Sequence, residues 1–409
     1  SPRNITLLFR LLPKELAAET FTFMDSDTQM HLISGFSDKE LREILDEIFV
    51  DDTVDIIEEM PANVVSRILK NTDAETRKQI NAILDYPTDS AGSVMTTEYV
   101  YLHKNMTTKE ALDWIRKVGV VKETIYTCYI TESRKLIGFV TILDLVTADE
   151  DATIESIMDS NVKFVYTHED REDVAKKFSK YDFLAMPVVD NEERMVGIIT
   201  FDDVLDVIAE ENEEDFSKMA AMQPIEDSYF KTSVFTHAKK RIGWLLVLML
   251  SATITGNLLT KYEEAFQAIP ILVSFIPMLM STGGNCGSQS STTVIRGLAT
   301  GEIQFKDFFK AVFKEFRISL IISVILAVTN GLRIFIFYKN LQLSIVITLS
   351  IIGTVIIAEF IGCALPLIAK KVKLDPAIMA TPLISTIVDT CSMLIYFQFA
   401  TMIFSELRH

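Results

Sequence analysis

Five apolar stretches in the second half of the chain constrain its fold more than any other feature. A helix needs roughly 20 apolar residues to cross the hydrocarbon core of a bilayer. Stretches of about this length lie at 242–260, 268–298, 314–338, 342–369 and 376–404. A helix that is apolar on all sides must be buried in a large core or in a membrane. The sequence therefore predicts an all-α membrane domain with five transmembrane helices over residues 241–409.

The basic residues between these stretches predict the orientation, because cytoplasmic loops of membrane proteins carry an excess of Lys and Arg. The second and fourth connectors contain Arg296, Lys306, Lys310, Lys314, Arg317, Lys370, Lys371 and Lys373. Both connectors and the N-terminal half therefore belong in the cytoplasm, and five crossings place the C-terminus outside. We expect a multi-pass protein of the cell membrane, in contact with lipid. An amphipathic stretch at 305–316 is expected to lie along the membrane interface.

A polar, glycine-rich segment interrupts the second apolar stretch with the sequence "MSTGGNCGSQSSTTVIRG" (280–297). Unpaired backbone in lipid costs several kcal/mol, so a break in the helix there survives only against protein or a watery cavity. Asn285, Ser288 and Gln289 supply oxygens and hydrogen-bond donors. The alternative is close helix packing through small residues. That alternative explains the glycines but not Asn285 with Gln289 one turn later.

A single acidic residue lies near the middle of the last apolar stretch. Counting from Pro376 places Asp389 about 20 Å along the helix, near the bilayer midplane. A carboxylate at that depth is costly unless it faces water, a cation or a paired base, and no Lys or Arg lies at comparable depth. Asp389 is therefore predicted to line a cation pathway. Glu359 in the fourth stretch is a rival ligand or a proton-sharing partner.

The ligand types in these segments indicate the class of cation. Carboxylate, amide and hydroxyl groups without thiolate or imidazole pairing suit a hard ion such as Mg²⁺, Ca²⁺ or Mn²⁺. Mg²⁺ gives up its water reluctantly, so a pathway for it can hold the hydrated ion. One Asp per chain provides a single carboxylate for the cation. A symmetric dimer, which contributes two carboxylates, is therefore the natural hypothesis.

The first half of the chain is strongly acidic. Residues 1–240 carry a net charge of −21, against +4 for residues 241–409. Nucleic acid is excluded as a partner, because phosphate neutralisation needs a basic surface. The four cysteines show no metal-binding spacing, and the sequence contains no nucleophile–base pairing or catalytic metal cluster. We therefore expect neither a zinc site nor an enzyme.

An internal repeat occupies the middle of the chain. "KLIGFVTILDLV" (135–146) matches "RMVGIITFDDVL" (194–205) at an offset of 59 residues. The repeats at 91–152 and 153–210 resemble a tandem pair of cystathionine-β-synthase-type (CBS) domains, which have an α/β fold. The resemblance implies an adenine nucleotide as a candidate ligand, with a Thr and an Asp at each helix start and an aromatic ring for stacking. These residues are Tyr126, Thr141, Asp144, Phe183, Thr200 and Asp203. Helix capping by the two threonines is the alternative.

Acidic helical segments flank the CBS pair. Residues 1–90 contain amphipathic segments with helical period and are predicted to form an all-α acidic domain. After the second repeat, an acidic connecting helix is predicted over 211–240. The acidic run at 202–216 leads into this helix; Asp203, Asp206, Glu210 and Glu214 share one face of the run, and like charges at this spacing repel. Shared multivalent cations would replace repulsion by attraction, so that cation concentration acts on the membrane domain. A solvated acidic surface is the alternative.

The order of these parts resembles the MgtE family of magnesium transporters. The resemblance covers nearly the whole chain and rests on P-M-L-M-S-T-G-G-N-C-G-S-Q (277–289), "RGLAT" (296–300) and D-P-A…P-L-I-S-T-I-V-D (375–389). It implies a multidomain fold and a homodimeric, Mg²⁺-selective channel or transporter. Ser385 and the break at Gly284 and Asn285 would lie beside Asp389 in the ion pathway. The family often has Asn where Ser288 stands.

The resemblance also implies that cytosolic Mg²⁺ closes the pore by binding acids of the soluble domains. The matching acids are Asp51, Asp55, Glu172, Asp182, Asp203, Asp206, Glu211, Glu214 and Asp215. Some members of the family bind ATP at the CBS pair, which makes ATP a candidate second ligand. Two alternatives stay open. One is a CBS-regulated transporter of another solute, either Mn²⁺ or Co²⁺ or an anion, although Asp389 opposes an anion. The other is a membrane-anchored nucleotide sensor without transport.

Overall fold

The computed structural model describes residues 2–225, 229–230, 232–379, 381–404 and 407. They form two units, Ser1–Glu211 and Asn212–His409. The first unit holds a helical N-terminal part and the two CBS repeats, and the second unit is helical and contains the apolar segments. The multidomain class predicted from the sequence is therefore confirmed.

Short helices make up the N-terminal part of the first unit. Side chains cap some of them, because Asp25, Ser37 and Asp73 each accept a hydrogen bond from a backbone N–H of the following turn. Apolar residues at helical spacing, such as Leu41 and Ile68, are fully buried. The helices are α1 (Pro2–Phe9), α2 (Lys14–Thr22), α3 (Ser26–Gly35), α4 (Asp38–Leu45), α5 (Val50–Glu59), α6 (Ala62–Asn71) and α7 (Ala74–Leu84).

The two CBS repeats have the same topology. In each three-stranded sheet the first two strands are parallel and the last two are antiparallel. The first repeat contains β1 (Tyr99–Leu102), α8 (Thr108–Val118), β2 (Thr124–Glu132), β3 (Lys135–Thr141) and α9 (Ile142–Thr147). The second contains α10 (Ile154–Ile157), β4 (Val165–Tyr166), α11 (Arg171–Tyr181), β5 (Ala185–Val189), β6 (Met195–Thr200) and, at its end, the start of α12 (Phe201–Met219).

One apolar core joins the N-terminal helices to the second CBS repeat. Val54 and Ile57 of α5 belong to the same buried cluster as Phe178 of α11 and Val204 of α12. Burial of these side chains against one another holds α5 and the first turns of α12 in a common arrangement. The acidic residues on these two helices are thereby placed close together.

The second unit consists of helices, most of them long and apolar. They are α13 (Val234–Lys261), α14 (Glu263–Ala268), α15 (Ile276–Ala299), α16 (Phe308–Tyr338), α17 (Leu341–Lys371) and α18 (Thr381–Ile403). Within the described residues, four helical segments are long and apolar enough to cross a membrane: Val234–Lys261, Phe305–Tyr338, Leu341–Lys371 and Pro376–Ile403. The polar segment of α15 keeps this helix out of that group, so the five crossings predicted from the sequence remain a prediction.

The glycine-rich segment does not break its helix, contrary to the sequence prediction. Helix α15 runs without interruption from Ile276 to Ala299. Small residues instead allow close packing: a Cβ added at Gly362 would clash with the carbonyl oxygen of Gly287, and one at Gly283 would lie 2.8 Å from the side chains of Val388 and Ser392. The backbone therefore stays hydrogen-bonded within the helix, while the glycines let α17 and α18 approach it closely.

Two other predicted segments also differ in the structure. The stretch at 305–316 begins with a single 3₁₀ turn and then becomes the first turns of α16, rather than a separate interfacial helix. The acidic helix predicted over 211–240 ends at Met219, and α13 begins only at Val234. Ala221 has a left-handed φ of 53° and Pro224 follows it, which together end the helix.

Candidate ion pathway and acidic cation site

Asp389 lies within α18, which packs against α13, α15 and α17. Its side chain is only partly buried, at the surface of this helical unit. In the part of the chain that the structure describes, no Lys or Arg forms an ion pair with it. A carboxylate inside an apolar helix, without a basic partner, needs water or a cation to satisfy its charge. The pathway role predicted for Asp389 from the sequence stays a prediction.

The structure brings two of the other predicted pathway residues together. A Cβ added at Gly284 would lie 3.3 Å from the Ser385 Oγ, so α15 and α18 touch at this point. Ser385 and Asp389 are one helical turn apart and share a face of α18. Asn285 is exposed beside Gly284. These residues form a polar seam between α15 and α18.

Ser288 makes a local contact that limits its role. Its hydroxyl donates a hydrogen bond to the Gly284 carbonyl oxygen at 2.7 Å, which uses its proton within α15. The oxygen lone pairs remain able to face water or a hydrated ion. Ser288 therefore lies on the seam as an acceptor rather than as a donor.

Glu359, the rival acid, has a different environment. It is 2 % exposed on α17, and its carboxyl group lies within hydrogen-bonding distance of Glu315 on α16, which is 7 % exposed. The Ser290 hydroxyl donates to the Glu359 backbone carbonyl oxygen at 3.2 Å. Glu359 is thus enclosed by protein, whereas the Asp389 side chain is partly exposed at the surface of the unit.

A second site lies in the first unit, where carboxylates from three parts of the chain converge. Asp51 and Asp52 come from α5, Asp203 from the first turn of α12, and Glu98 and Glu123 from the first CBS repeat. We call these five residues the acidic cluster. Asp55 of α5 and Asp202 of α12 lie at its edge. The sequence prediction contained Asp51, Asp55 and Asp203 but missed Glu98 and Glu123.

The geometry of the first sheet explains why Glu98 and Glu123 meet. Each precedes a strand, and the first paired residues of β1 and β2 are Tyr99 and Thr124. The Glu123 backbone N–H donates to the Glu98 carbonyl oxygen at 2.9 Å. Because β1 and β2 are parallel, acids directly before them lie at the same sheet edge. The position of each acid directly before a strand is the sequence signal that would have predicted this pair.

Three oxygens of the acidic cluster are buried without a hydrogen-bond partner. They are Asp51 Oδ1, Glu98 Oε2 and Glu123 Oε2. Leaving such a group unsatisfied costs roughly 1–3 kcal/mol or more for a charged group. A cation would remove this cost, so the residues present fit a bound divalent ion. Among the described residues, no group of three or more His, Cys, Asp or Glu side chains is placed to hold an ion by direct coordination. An ion at this cluster would therefore be held partly through its water ligands, several of which Mg²⁺ keeps when it binds proteins.

The electrostatics of the cluster agree with this interpretation. Burial, followed by the charges of Asp203, Glu123 and Asp52, raises the pKa of Asp51 well above its usual value. Burial and then Asp203 raise the pKa of Glu123 to about 7. Loss of surrounding water, followed by the charges of Asp203 and Asp52, raises the pKa of Asp55, an exposed residue at the edge of the cluster, to about 7. Without a cation, these carboxylates repel one another at neutral pH.

This repulsion predicts how stability depends on pH. Raised pKa values mean that the folded state binds more protons than the unfolded state, so stability falls as pH rises from the ordinary carboxyl range to about 7. In EDTA, the full chain in detergent should melt about 5 °C lower at about pH 7.5 than at about pH 5.5, measured by calorimetry. Millimolar Mg²⁺ should abolish the difference. An Asp51→Asn, Glu123→Gln variant should show a flatter profile, and an equal slope in that variant would contradict this assignment.

The other predicted regulatory acids have local partners or face solvent. Glu172 pairs with Lys176 at 2.8 Å, and Glu211 pairs with Arg171 at 3.0 Å. Asp182 is the left-handed C-cap of α11, with a φ of 53°. Asp206 is exposed and Asp215 partly exposed on α12, and Glu214 pairs with Lys218 at 2.6 Å. The structure therefore brings Asp51, Asp55 and Asp203 into one region of the first unit and gives Glu172, Glu211 and Glu214 basic partners.

The candidate nucleotide residues mainly cap helices. The Thr141 hydroxyl donates to Asp144 Oδ2 at 2.6 Å, and the Asp144 N–H donates to the Thr141 Oγ1, as in a capping box. The Thr200 hydroxyl donates to Asp203 Oδ2 in the same way. Capping, the alternative reading of these threonines, is thus observed. Tyr126 is 63 % exposed, and Phe183 packs against Phe178 and Tyr181.

Family models match most of the chain. Residues 276–399 match the family model described as MgtE, divalent cation transporter, and residues 1–89 match the MgtE intracellular N domain. Residues 91–151 and 154–210 match the CBS domain. The pattern agrees with the division seen in the structure.

Full-length relatives show the same similarity. The chain is 31 % identical to the magnesium transporter MgtE of Bacillus subtilis, over 98 % of this chain and 91 % of that protein. It is 33 % identical to the magnesium transporter MgtE of Thermus thermophilus, over 97 % of this chain and 89 % of that protein. A solved cytosolic domain of the Mg²⁺ channel MgtE in complex with ATP aligns with a TM-score of 0.49 at 36 % identity, over 51 % of this chain and 85 % of that one.

Proposed function

This chain belongs to the MgtE family of divalent cation transporters, and from that premise we propose that it carries Mg²⁺ across the cell membrane and closes when cytosolic Mg²⁺ rises. The observation that carries the proposal is Asp389, a partly exposed carboxylate within an apolar helix and without a basic partner among the described residues. A fixed negative charge in that position attracts cations and repels anions.

The proposed pathway follows the polar seam between α15 and α18. Asp389 supplies the charge, while Ser385, Asn285 and Ser288 supply neutral oxygens and Gly284 brings the two helices together. Hydrated Mg²⁺ holds its water tightly, so these groups would bind the ion through its water shell. Selection then depends on the size of the hydrated ion and on the charge of the carboxylate, rather than on direct coordination.

A polar seam on the outside of one protomer needs a cover at bilayer depth. Lipid cannot satisfy Asn285 and Asp389, so we propose that a second copy covers the seam and that two Asp389 carboxylates face one path. In this arrangement α15 also crosses the membrane, which brings the number of crossings from four to five, and its polar residues face the path rather than lipid. The cytosolic position of the first unit and the outer position of the C-terminus follow from the basic connectors.

Regulation is proposed to act through the acidic cluster. Mg²⁺ held between α5, the first CBS repeat and the start of α12 would satisfy the partnerless oxygens of Asp51, Glu98 and Glu123. Repulsion among the carboxylates would become attraction, which favours one arrangement of these elements. Because α12 also continues into the second unit, this arrangement has a covalent route to the membrane helices. ATP at the CBS pair is proposed as a second ligand, with Tyr126 as the exposed stacking surface.

Ion-resolved flux into liposomes tests this function. The full chain is reconstituted, and entry of Mg²⁺, Ca²⁺, Mn²⁺ and Co²⁺ is compared with empty vesicles while the side facing the soluble domains is kept low in Mg²⁺. We expect Mg²⁺ entry that stops as Mg²⁺ on that side reaches millimolar values. Faster Mn²⁺ or Co²⁺ entry would indicate another divalent substrate. Absence of all flux, together with nucleotide binding, would indicate a membrane-anchored sensor instead.

A further inference from the structure

A lysine near the end of α12 joins two acids that lie far apart in the chain. Within the second unit, Lys218 Nζ lies 2.6 Å from Glu214 Oε1 and 2.7 Å from Asp375 Oδ2. Asp375 precedes α18, and its other oxygen accepts a hydrogen bond from the Ala377 N–H at 2.8 Å. The lysine side chain is 24 % exposed and that of Asp375 is 28 % exposed. The three side chains thus form a partly buried charged contact.

The contact differs from an ordinary surface ion pair. Exposed pairs contribute little because water screens them and their side chains lose freedom. Here one ammonium serves two carboxylates, and one carboxylate is held by a backbone N–H. Burial opposes the charge of Lys218, but the hydrogen bonds that its ammonium donates to Asp375 and Glu214 outweigh this effect and raise its pKa. The lysine therefore stays charged at physiological pH.

The position of the contact relates it to gating. Asp375 lies at the start of the segment that enters α18, the helix that carries Asp389. Lys218 lies on α12, whose first turn carries Asp203 of the acidic cluster. The contact therefore ties α12, which bears Asp203, to the segment that precedes α18, the helix of Asp389, without any metal ion.

We propose that Lys218 is a built-in cation that latches the end of α12 to Asp375 and favours the closed pore in the absence of bound metal. This inference rests on the proposed function. The latch and Mg²⁺ bound at the acidic cluster stabilise the same position of α12. Closure then needs less Mg²⁺ than the acidic cluster alone would require, because part of the stabilisation is already present.

The test combines a metal-free measurement with a transport measurement on the full chain. In EDTA, Lys218→Gln should raise hydrogen exchange of residues 212–219 at least about fivefold. In liposomes, the same variant should raise the Mg²⁺ concentration for half-closure at least about fivefold. Lys104→Gln is the matched control, since Lys104 is also a partly exposed lysine in a non-local ion pair, with Glu132 at 2.8 Å. It should change neither quantity.

A charge exchange keeps the test decisive. The Lys218→Glu, Asp375→Lys double variant restores opposite charges and should recover slow exchange and the wild-type closure concentration. Unchanged exchange in Lys218→Gln would overturn the latch, and faster exchange with unchanged closure would overturn its role in gating. If the wild-type chain shows no flux, the proposed function fails, while the exchange measurement still decides whether the contact holds α12.

Discussion

Asp389→Asn is expected to lower Mg²⁺ flux by at least about a hundredfold. Two unit charges about 5 Å apart interact by roughly 3 kcal/mol at an effective dielectric constant of about 20, and Mg²⁺ carries two charges. Losing 3 kcal/mol lowers the occupancy of a site by about a hundredfold. The amide keeps the shape and hydrogen-bonding capacity of the side chain, so the variant isolates the charge. The measurement is initial Mg²⁺ entry into liposomes at low cytosolic-side Mg²⁺.

Glu359→Gln is the matched control for this prediction. It also replaces an acid by its amide within the apolar helices, but Glu359 is enclosed beside Glu315 rather than open at the surface of the unit. It should keep flux within about threefold of wild type. Both variants should elute from size exclusion as the wild type does. Wild-type flux in Asp389→Asn, or loss of flux only in Glu359→Gln, would contradict the pathway assignment.

Neutralising the acidic cluster should leave the pore open at millimolar Mg²⁺. The Asp51→Asn, Glu123→Gln, Asp203→Asn variant removes the charges that a bridging cation needs, so Mg²⁺ no longer distinguishes the arrangements of α5 and α12. Shifting a two-state equilibrium from 1:99 to 99:1 requires a preference of about ten-thousandfold, which neutral amides cannot provide for Mg²⁺. Flux should therefore stay near its maximum while Mg²⁺ on the cytosolic side is raised.

The control for this variant removes three charges elsewhere. Asp113→Asn, Asp149→Asn, Glu150→Gln changes the first CBS repeat by the same net charge at exposed positions outside the acidic cluster. It should close at the wild-type Mg²⁺ concentration. Normal closure in the cluster variant would mean that the cluster is not the sensor. Permanent closure would mean that loss of repulsion, rather than bridging by Mg²⁺, drives the change.

Prediction from the sequence succeeded where the pattern is local or repeated. The internal match between 135–146 and 194–205 predicted the CBS pair, and the helical period of residues 1–90 predicted the N-terminal helices. Prediction failed where a local signal was overridden by neighbours. The glycines of α15 predicted a break in the helix. In the structure they pack against α17 and α18, and this packing keeps the helix continuous.

Long-range contacts were the other source of error. Glu98 and Glu123 are isolated acids in the sequence, and only the pairing of β1 with β2 brings them together with Asp51 and Asp203. Lys218 likewise reads as an ordinary i,i+4 partner of Glu214, and nothing near it in the chain indicates Asp375. Each of these contacts joins residues that are remote in the sequence.

The sequence alone determined the division into an acidic part and an apolar part, the CBS repeat and the presence of an acid at membrane depth. These properties follow from the length, period and charge of short segments, because burial and helix formation respond to neighbours within a few turns. Tertiary structure decided which acid stays open, which oxygens lack a partner and which lysine reaches Asp375. Such properties depend on packing between segments that are distant in the chain, and a charged side chain takes its role from the groups that surround it after folding.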